Sequence, residues 1–311
     1  MTILESIALR LINRMREQKI KRVLIFGATG MLGSACDLVF SDSENFETFS
    51  TSRTNTPGKL SFDAASDSAA ELIQKVAPDW IINCIGVIKP HIKEDSVTSV
   101  SNAIQINSLF PHAIAAAVKG SNAKVIQIAT DCVYTGREGG YKEDAPHDPT
   151  DVYGKTKSLG EVNSDQFLHI RASIIGPEYG RSTSLQEWFL GQSQGATVNG
   201  FTDHLWNGLT THHFALLSKA AVESDLHESG RYHVLPGNIL TKAELLEAFA
   251  NVYERTDITI NAMASANKVD RTLNTDNLEF SNSLWKLAGY ENPPTIEQMI
   301  YEQKNFTELH K

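Results

Sequence analysis

The stretch Lys21 to Gly33, KRVLIFGATGMLG, constrains this chain more than any other. Arg22 to Phe26 is a short apolar run with β-branched residues, which reads as a buried strand. Gly27, Gly30 and Gly33 follow at three-residue steps, and Met31 to Phe40 has helical apolar spacing. The glycines therefore sit on a turn between a strand and a helix. There the backbone can approach a phosphate, and the helix N-terminus offers free N–H groups and a partial positive charge. Gly27 allows the tight turn, Gly30 the close approach, and Gly33 close helix–strand packing. With a strand before it and a helix after it, the pattern points to dinucleotide binding.

The same alternation continues. Strands are expected at Phe46–Ser50, Leu60–Phe62, Trp80–Cys84, Lys124–Ala129 and Phe167–Arg171. Helical patterns fall at Ala69–Val76, Ser96–Lys119 and Val152–Val162, with a Gly-, Pro- and Asp-rich loop over 131–150. Strands alternating with helices mean βαβ units, a parallel sheet and right-handed crossovers. The expected fold class is α/β: a doubly wound parallel (Rossmann) sheet with a smaller C-terminal α/β part. Residues 21–175 form the dinucleotide-binding domain, and residues 176–311 form a substrate-binding part interwoven with it. Helices are expected at 185–190, 214–222 and 242–253, and a strand at 232–235. Ahead of the first strand, Ile3, Leu4, Ile7, Ala8, Leu11, Ile12 and Met15 make one apolar helical face. Residues 1–20 read as an amphipathic helix for packing or a subunit contact, which would fit a homodimer.

The totals exclude several classes. Apolar residues make up 41% and charged residues 21%, the values of a soluble globular protein. The net charge of −9 argues against nucleic acid. Cys36, Cys84 and Cys132 form no Cys-x-x-Cys pair, so neither a disulfide framework nor a zinc site is suggested. No apolar run reaches the length of a membrane span. Glu5, Arg10, Arg14 and Arg16 interrupt the N-terminus, so no signal peptide is read and a cytoplasmic setting is expected.

Chemistry concentrates at Tyr153-Gly-Lys-Thr-Lys157, where Tyr153 and Lys157 share one helical face. An adjacent ammonium favours an ionised phenol and should lower its pKa. Alone, the pair also reads as two exposed polar residues. Thr130 ends a strand at the carboxyl edge, where ligands bind in open α/β sheets, though a strand-end Thr also caps turns. Asp131 reads more readily as a turn former than as a catalyst. Trp188 and Trp206 suit either base stacking or core packing. Lys89, Arg181 and Arg271 suit either a substrate pyrophosphate or solvent. The adjacent pair His212 and His213 does not read as a metal site, and no metal is expected.

Taken together, GATGMLG, Asn83 in INCIG, TDCVYTG and YGKTK resemble the extended short-chain dehydrogenase/reductases. ATDCVYTG followed by GGYKEDAPHDPTDVYGKTKSLGE is most similar to the dTDP-4-dehydrorhamnose reductase group, with echoes in Arg171–Gly176 and Asp270–Leu273. The resemblance implies reduction of a nucleotide-linked 4-keto-6-deoxy sugar. Tyr153 would be the proton donor, Lys157 would hold the nicotinamide ribose and tune Tyr153, and Thr130 would bond the carbonyl. It also implies cofactor contacts at Gly27, Thr29, Gly30, Met31, Leu32, Gly33, Asp63 and Asn83, and substrate contacts at Lys89, Arg181, Trp206 and Arg271. The segment Cys84–His91 departs from the Ala-rich family form. Thr51, Ser52 and Arg53 end the second strand without a carboxylate, so NADP(H) is expected over NAD(H), with Ser52 and Arg53 at the 2′-phosphate. An epimerase, a dehydratase and a non-catalytic NADP-binding regulatory subunit are the alternatives. Asp131-Cys132 after Thr130 lacks the acidic pair that dehydratases of this superfamily carry.

Overall fold

Alternation along the first strand divides the core. In β1 (Lys21–Phe26), Val23 and Ile25 face one layer of helices while Leu24 and Phe26 face the other. The period of two in strand side chains makes both faces apolar, as a sheet covered on both sides requires. The computed structural model describes residues 20–178 and 183–310. The N-terminal apolar stripe and Arg181 lie outside them.

Around β1 stand β2 (Phe46–Ser52), β3 (Leu60–Ser61), β4 (Trp80–Asn83), β5 (Lys124–Ala129), β6 (Phe167–Arg171) and, from later in the chain, β11 (Gly230–His233). The sheet order is β11-β6-β5-β4-β1-β2-β3, and every pairing is parallel. The order reverses between β1 and β4, which opens a crevice at the carboxyl ends of those strands. The doubly wound parallel sheet expected from the sequence is the one observed.

Helices α1 (Met31–Ser41), α2 (Ala69–Val76), α3 (Val97–Ile104), α4 (Phe110–Val118) and α5 (Val152–Leu159) connect these strands. Ile73, Phe110 and Ile114 close one face against Leu24, Phe26, Ile81 and Val125. Phe40, Phe214 and Leu217 close the other against Val23, Ile25, Ile82 and Ile126. Each such side chain contributes about 1.5–3 kcal/mol by leaving water. The helical pattern expected over 96–119 is broken by a π turn, Gln105–Leu109, between α3 and α4. Helix α5 ends before the expected residue 162, with Gly160 as its C-cap. A Cβ there would sit 2.0 Å from the Asn107 carbonyl oxygen, so the two segments meet backbone to backbone.

Past residue 176 the chain supplies α6 (Leu185–Leu190), α7 (Thr211–Ser224), α8 (Lys242–Val252), α9 (Leu278–Leu287) and α10 (Ile296–Leu309). Helix α7 packs on α1, and β11 adds the seventh strand. Short strands complete the C-terminal part: β7 (Ile174–Ile175) with β10 (Leu209–Thr210), and β8 (Thr197–Phe201) with β13 (Thr259–Met263). The third sheet is β12 (Leu240–Thr241), β9 (His204–Trp206) and β14 (Val269–Asp270). No helix among the described residues is long and apolar enough to cross a membrane.

Candidate active site

The glycine turn fits a dinucleotide on its own geometry. Gly27 has φ +86°, which its lack of a Cβ permits, and a Cβ would meet Ile85 Cγ1 at 2.7 Å. A Cβ on Gly33 would lie 1.9 Å from the Gly27 carbonyl oxygen, so only glycine lets α1 start so close to β1. Gly30 is the N-cap of α1 and offers no side-chain cap, and no acidic residue stands in the first turn. The first N–H groups of the helix are thus left for an anionic ligand. Thr29 and Gly30 are exposed, Met31 is half-buried, and Leu32 and Gly33 are buried. From the next strand, Thr51 Oγ1 accepts from the Gly27 N–H at 2.9 Å and Thr51 O from the Ala28 N–H at 2.9 Å, locking the turn to β2.

The other expected cofactor residues lie on the same edge. Ser52 closes β2, buried, with its hydroxyl 3.2 Å from Thr54 Oγ1 and 3.1 Å from Thr56 Oγ1. Arg53 follows it, exposed to solvent. Asp63 stands just beyond β3, where its Oδ1 accepts from the Ala65 N–H at 2.9 Å. Asn83 ends β4, buried, donating to Gln127 Oε1 at 2.8 Å and accepting from the Ile85 N–H at 3.1 Å.

Three elements bring the chemistry together. Thr130 follows β5 at its carboxyl end. Its hydroxyl donates to Asp131 Oδ1 at 3.2 Å and accepts from the Cys132 N–H at 3.2 Å, so this Thr does cap the next turn. Helix α5 starts at Asp151, whose Oδ1 accepts from the Gly154 N–H at 2.7 Å. Gly154 is needed there, because a Cβ would lie 2.3 Å from the Cys132 carbonyl oxygen. Lys157 is 7% exposed and donates to the Ile128 carbonyl oxygen at 3.0 Å. Burial pushes its ammonium down to about 8, against the pull of Glu161 and Cys84. Tyr153 departs from expectation: burial, with Cys132 beside it, holds the phenol above its usual range although the Thr130 hydroxyl pulls it down. Desolvation disfavours the phenolate more than the nearby donor favours it. At neutral pH, Tyr153 therefore keeps its proton.

The substrate-side candidates divide. Arg271 reaches the site by a strap: the Asp270 N–H donates to Gly136 O at 2.7 Å and the Tyr141 N–H to Thr272 O at 2.9 Å. Its Nε donates to the Tyr134 carbonyl oxygen at 2.8 Å. Lys89 is exposed and tied to Asp151 Oδ2 at 2.8 Å, at the N-cap of α5. Trp206 requires a correction. It is 3% exposed, and its Nε1 donates to Ser173 Oγ at 2.8 Å, so it packs in the core and offers no open face to a base.

Two features escape a linear reading. Asn107, in the π turn, accepts from the Val87 N–H at 2.8 Å and donates to Val87 O at 2.9 Å and Thr156 Oγ1 at 3.1 Å. It thereby clamps the 84–88 loop to α5, as π turns near functional sites often do. The second is a buried network on Arg171, which is 0% exposed. Its Nε donates to Glu161 Oε1 at 3.0 Å and its Nη2 to Oε2 at 2.7 Å. Nη1 also reaches Tyr134 Oη at 2.7 Å and His233 Nε2 at 2.8 Å, and Nη2 reaches His147 Nε2 at 3.0 Å. A guanidinium only donates, so both Nε2 atoms must be unprotonated acceptors. Burial, with Arg171 adding repulsion, pushes His233 down to about 4, and burial also lowers His147.

This makes a pH prediction. Unfolded histidines protonate near pH 6.5. Below that the unfolded chain binds more protons than the folded one, so stability should fall as pH drops from about 6.5 towards 4. His310, raised by its bonds to Phe306 O and Asp42, and Asp131, raised by burial, work in the opposite sense, but the lowered histidines outnumber them. Urea midpoints at pH 7.5, 6.0 and 5.0 should decrease in that order. A flat series would contradict the neutral-histidine network.

The chain matches the family model described as RmlD substrate binding domain over residues 21–304. It is 31% identical over 143 residues to methionine adenosyltransferase 2 subunit beta of Xenopus tropicalis, covering 45% of this chain and 42% of that one. It is 28% identical over 168 residues to dTDP-4-dehydrorhamnose reductase of Aggregatibacter actinomycetemcomitans, covering 52% and 54%. These two matches thus span about half the length of each relative. A solved dTDP-4-dehydrorhamnose reductase of Bacillus anthracis, in complex with NADP, superposes with TM-score 0.72 at 18% identity over 92% of this chain and 99% of that one. The glycine turn and the switch-point sheet, joined to a match that spans nearly the whole chain, place this protein in the RmlD substrate binding domain family.

Proposed function

We propose that this chain is an NADPH-dependent reductase of a nucleotide-linked 4-keto-6-deoxy sugar, acting in nucleotide-sugar and polysaccharide biosynthesis. One observation carries the reading. A protonated Tyr153, Thr130 and a buried Lys157 gather at the carboxyl edge of the sheet, on the same edge as a glycine turn shaped for a dinucleotide. A bound nicotinamide cofactor would supply the hydride. The chain's own residues do the rest. The Thr130 hydroxyl turns its proton from Asp131 to the substrate carbonyl oxygen, and Tyr153 gives its proton to that oxygen as negative charge develops. Lys157, still mostly charged at pH 7, stabilises the phenolate left behind and would hold the cofactor ribose. Gly27 to Gly33 would hold the pyrophosphate, and Ser52 and Arg53 would take the 2′-phosphate.

A regulatory reading has one observation in its favour, the likeness to methionine adenosyltransferase 2 subunit beta. The presence of Thr130, Tyr153 and Lys157 favours catalysis. The deciding assay mixes the protein with NADPH and a panel of nucleotide-linked 4-keto sugars and follows loss of nicotinamide absorbance. In that assay NADPH should outperform NADH. Arg53→Ala should lower kcat/KM for NADPH about tenfold and leave NADH almost unchanged, the size of one charge-assisted contact. Equal use of both cofactors by wild type would remove Arg53 from the 2′-phosphate site.

A further inference from the structure

A cation that no sequence motif marked faces Asp131, the neighbour of Thr130. Lys242 is the first residue of α8, directly after β12, whose pairing with β9 sets Leu240 opposite Trp206. Its Nζ lies 5.6 Å from the centre of the Trp206 ring. That ring is fixed by its bond to Ser173, between β6 and β7. Gly208 leaves room for it, since a Cβ there would lie 2.5 Å from Trp206 Cζ2. The ammonium is half-buried, and among the described residues no carboxylate or carbonyl pairs with it. Burial pushes it down to about 8, while Asp131 attracts it and Arg271 repels it.

Arg271 repeats the pattern. Its Nε is spent on the Tyr134 carbonyl oxygen, and its remaining nitrogens have no partner among the described residues. Both cations act on buried Asp131, the neighbour of Thr130. Arg271 acts on Asp151 as well, which Lys89 already pairs, so three cations face two carboxylates and leave a net positive charge in a partly desolvated cleft. Such a cleft costs free energy unless a ligand brings the opposite charge. A cation resting on an aromatic face gains part of that back, and its outward N–H donors stay available.

We infer that Lys242, seated on Trp206 and paired with Arg271, binds an oxyanion of the substrate beside the catalytic Thr130. The inference rests on the reductase reading for the word substrate, but the site itself is defined by these cations. The oxyanion has two sources, the substrate diphosphate or a carboxylate on the sugar, and both present the same chemistry to an ammonium and a guanidinium.

The test titrates the full chain, saturated with NADP+ so that the glycine turn is filled. Inorganic pyrophosphate, dTDP, UDP and D-glucuronate are the probes, followed by calorimetry and by tryptophan fluorescence. Wild type should bind at least one oxyanion. Lys242→Met should weaken that binding at least about tenfold, and Lys242→Arg should keep it within about threefold. Lys242→Gln, which keeps a polar side chain in place, is the second variant should the methionine protein fold poorly. A Lys242 dependence with pyrophosphate, dTDP and UDP identifies the diphosphate, and one with glucuronate alone identifies a sugar carboxylate. Oxyanion binding that is absent from wild type, or equal in wild type, Lys242→Met and Lys242→Gln, overturns the inference. Turnover of keto sugars by wild type is read separately. Its absence with oxyanion binding intact overturns the reductase reading and leaves this site standing.

Discussion

Replacing Tyr153 with Phe is expected to lower kcat by about 10²–10⁴-fold, the usual contribution of a positioned general acid. The substitution removes one oxygen from a half-buried ring and leaves α5, capped by Asp151 on the Gly154 N–H, as it was. NADPH binding should therefore stay near that of wild type. Because burial holds the phenol above its usual range, wild-type Tyr153 carries its proton throughout the neutral range. Lys157→Met should behave differently. It removes the ammonium anchored on the Ile128 carbonyl oxygen and should weaken cofactor binding as well as turnover. Stopped-flow or steady-state kinetics with a reducible keto sugar separate the two effects. Near-full turnover by the Tyr153→Phe protein would end the assignment of Tyr153 as the acid.

The second large effect concerns stability. Arg171→Met should lower unfolding free energy by about 3–5 kcal/mol, because it strands a buried carboxylate that Arg171 bonds with two nitrogens. Glu161 is 8% exposed; burial pushes its pKa up, but the Arg171 guanidinium outweighs that and holds the group below the usual range. Arg231, whose Nε donates to Glu161 Oε2 at 2.8 Å, would remain as a partial partner. The melting temperature should fall by roughly 5–8 °C. Arg171→Lys should recover little, since one ammonium cannot reproduce the planar fork that also serves Tyr134, His147 and His233. A loss below about 1 kcal/mol in denaturant titrations would show that the network relaxes around the gap. The same network joins β6, α5, β11 and the 131–150 loop, so the variant should also raise KM by loosening the strap that carries Arg271.

What was legible in the residues alone is local. The strand, glycine turn and helix from Lys21 to Ser41 follow from apolar period and glycine spacing within one turn of chain. Tyr153 and Lys157 share a face because the helical repeat puts them there, whatever surrounds them. The strand end at Ser52 and Arg53 was found by counting from the same turn. The order of βαβ units carried the sheet, since right-handed crossovers leave few ways to arrange them.

Tertiary structure decided what depends on burial and on distant partners. Trp206 has the same composition as a stacking platform and as a core residue, and only the Ser173 bond and a closed surface tell them apart. The π turn at Asn107 exists because Val87 and Thr156 offer partners to its amide, and neither is near it in the chain. The raised Tyr153 phenol follows from desolvation, which a helical wheel does not contain. Lys242 sits in a stretch that reads as an ordinary helix start, and becomes a site residue only where β12 lays it over Trp206. The residues by themselves determined a doubly wound parallel sheet with a glycine turn, and a helix that sets Tyr153 and Lys157 on one face, because backbone periodicity acts over a few residues. Which charges share one cleft was decided by the tertiary fold, because desolvation and Coulomb energy depend on distances that only packing sets.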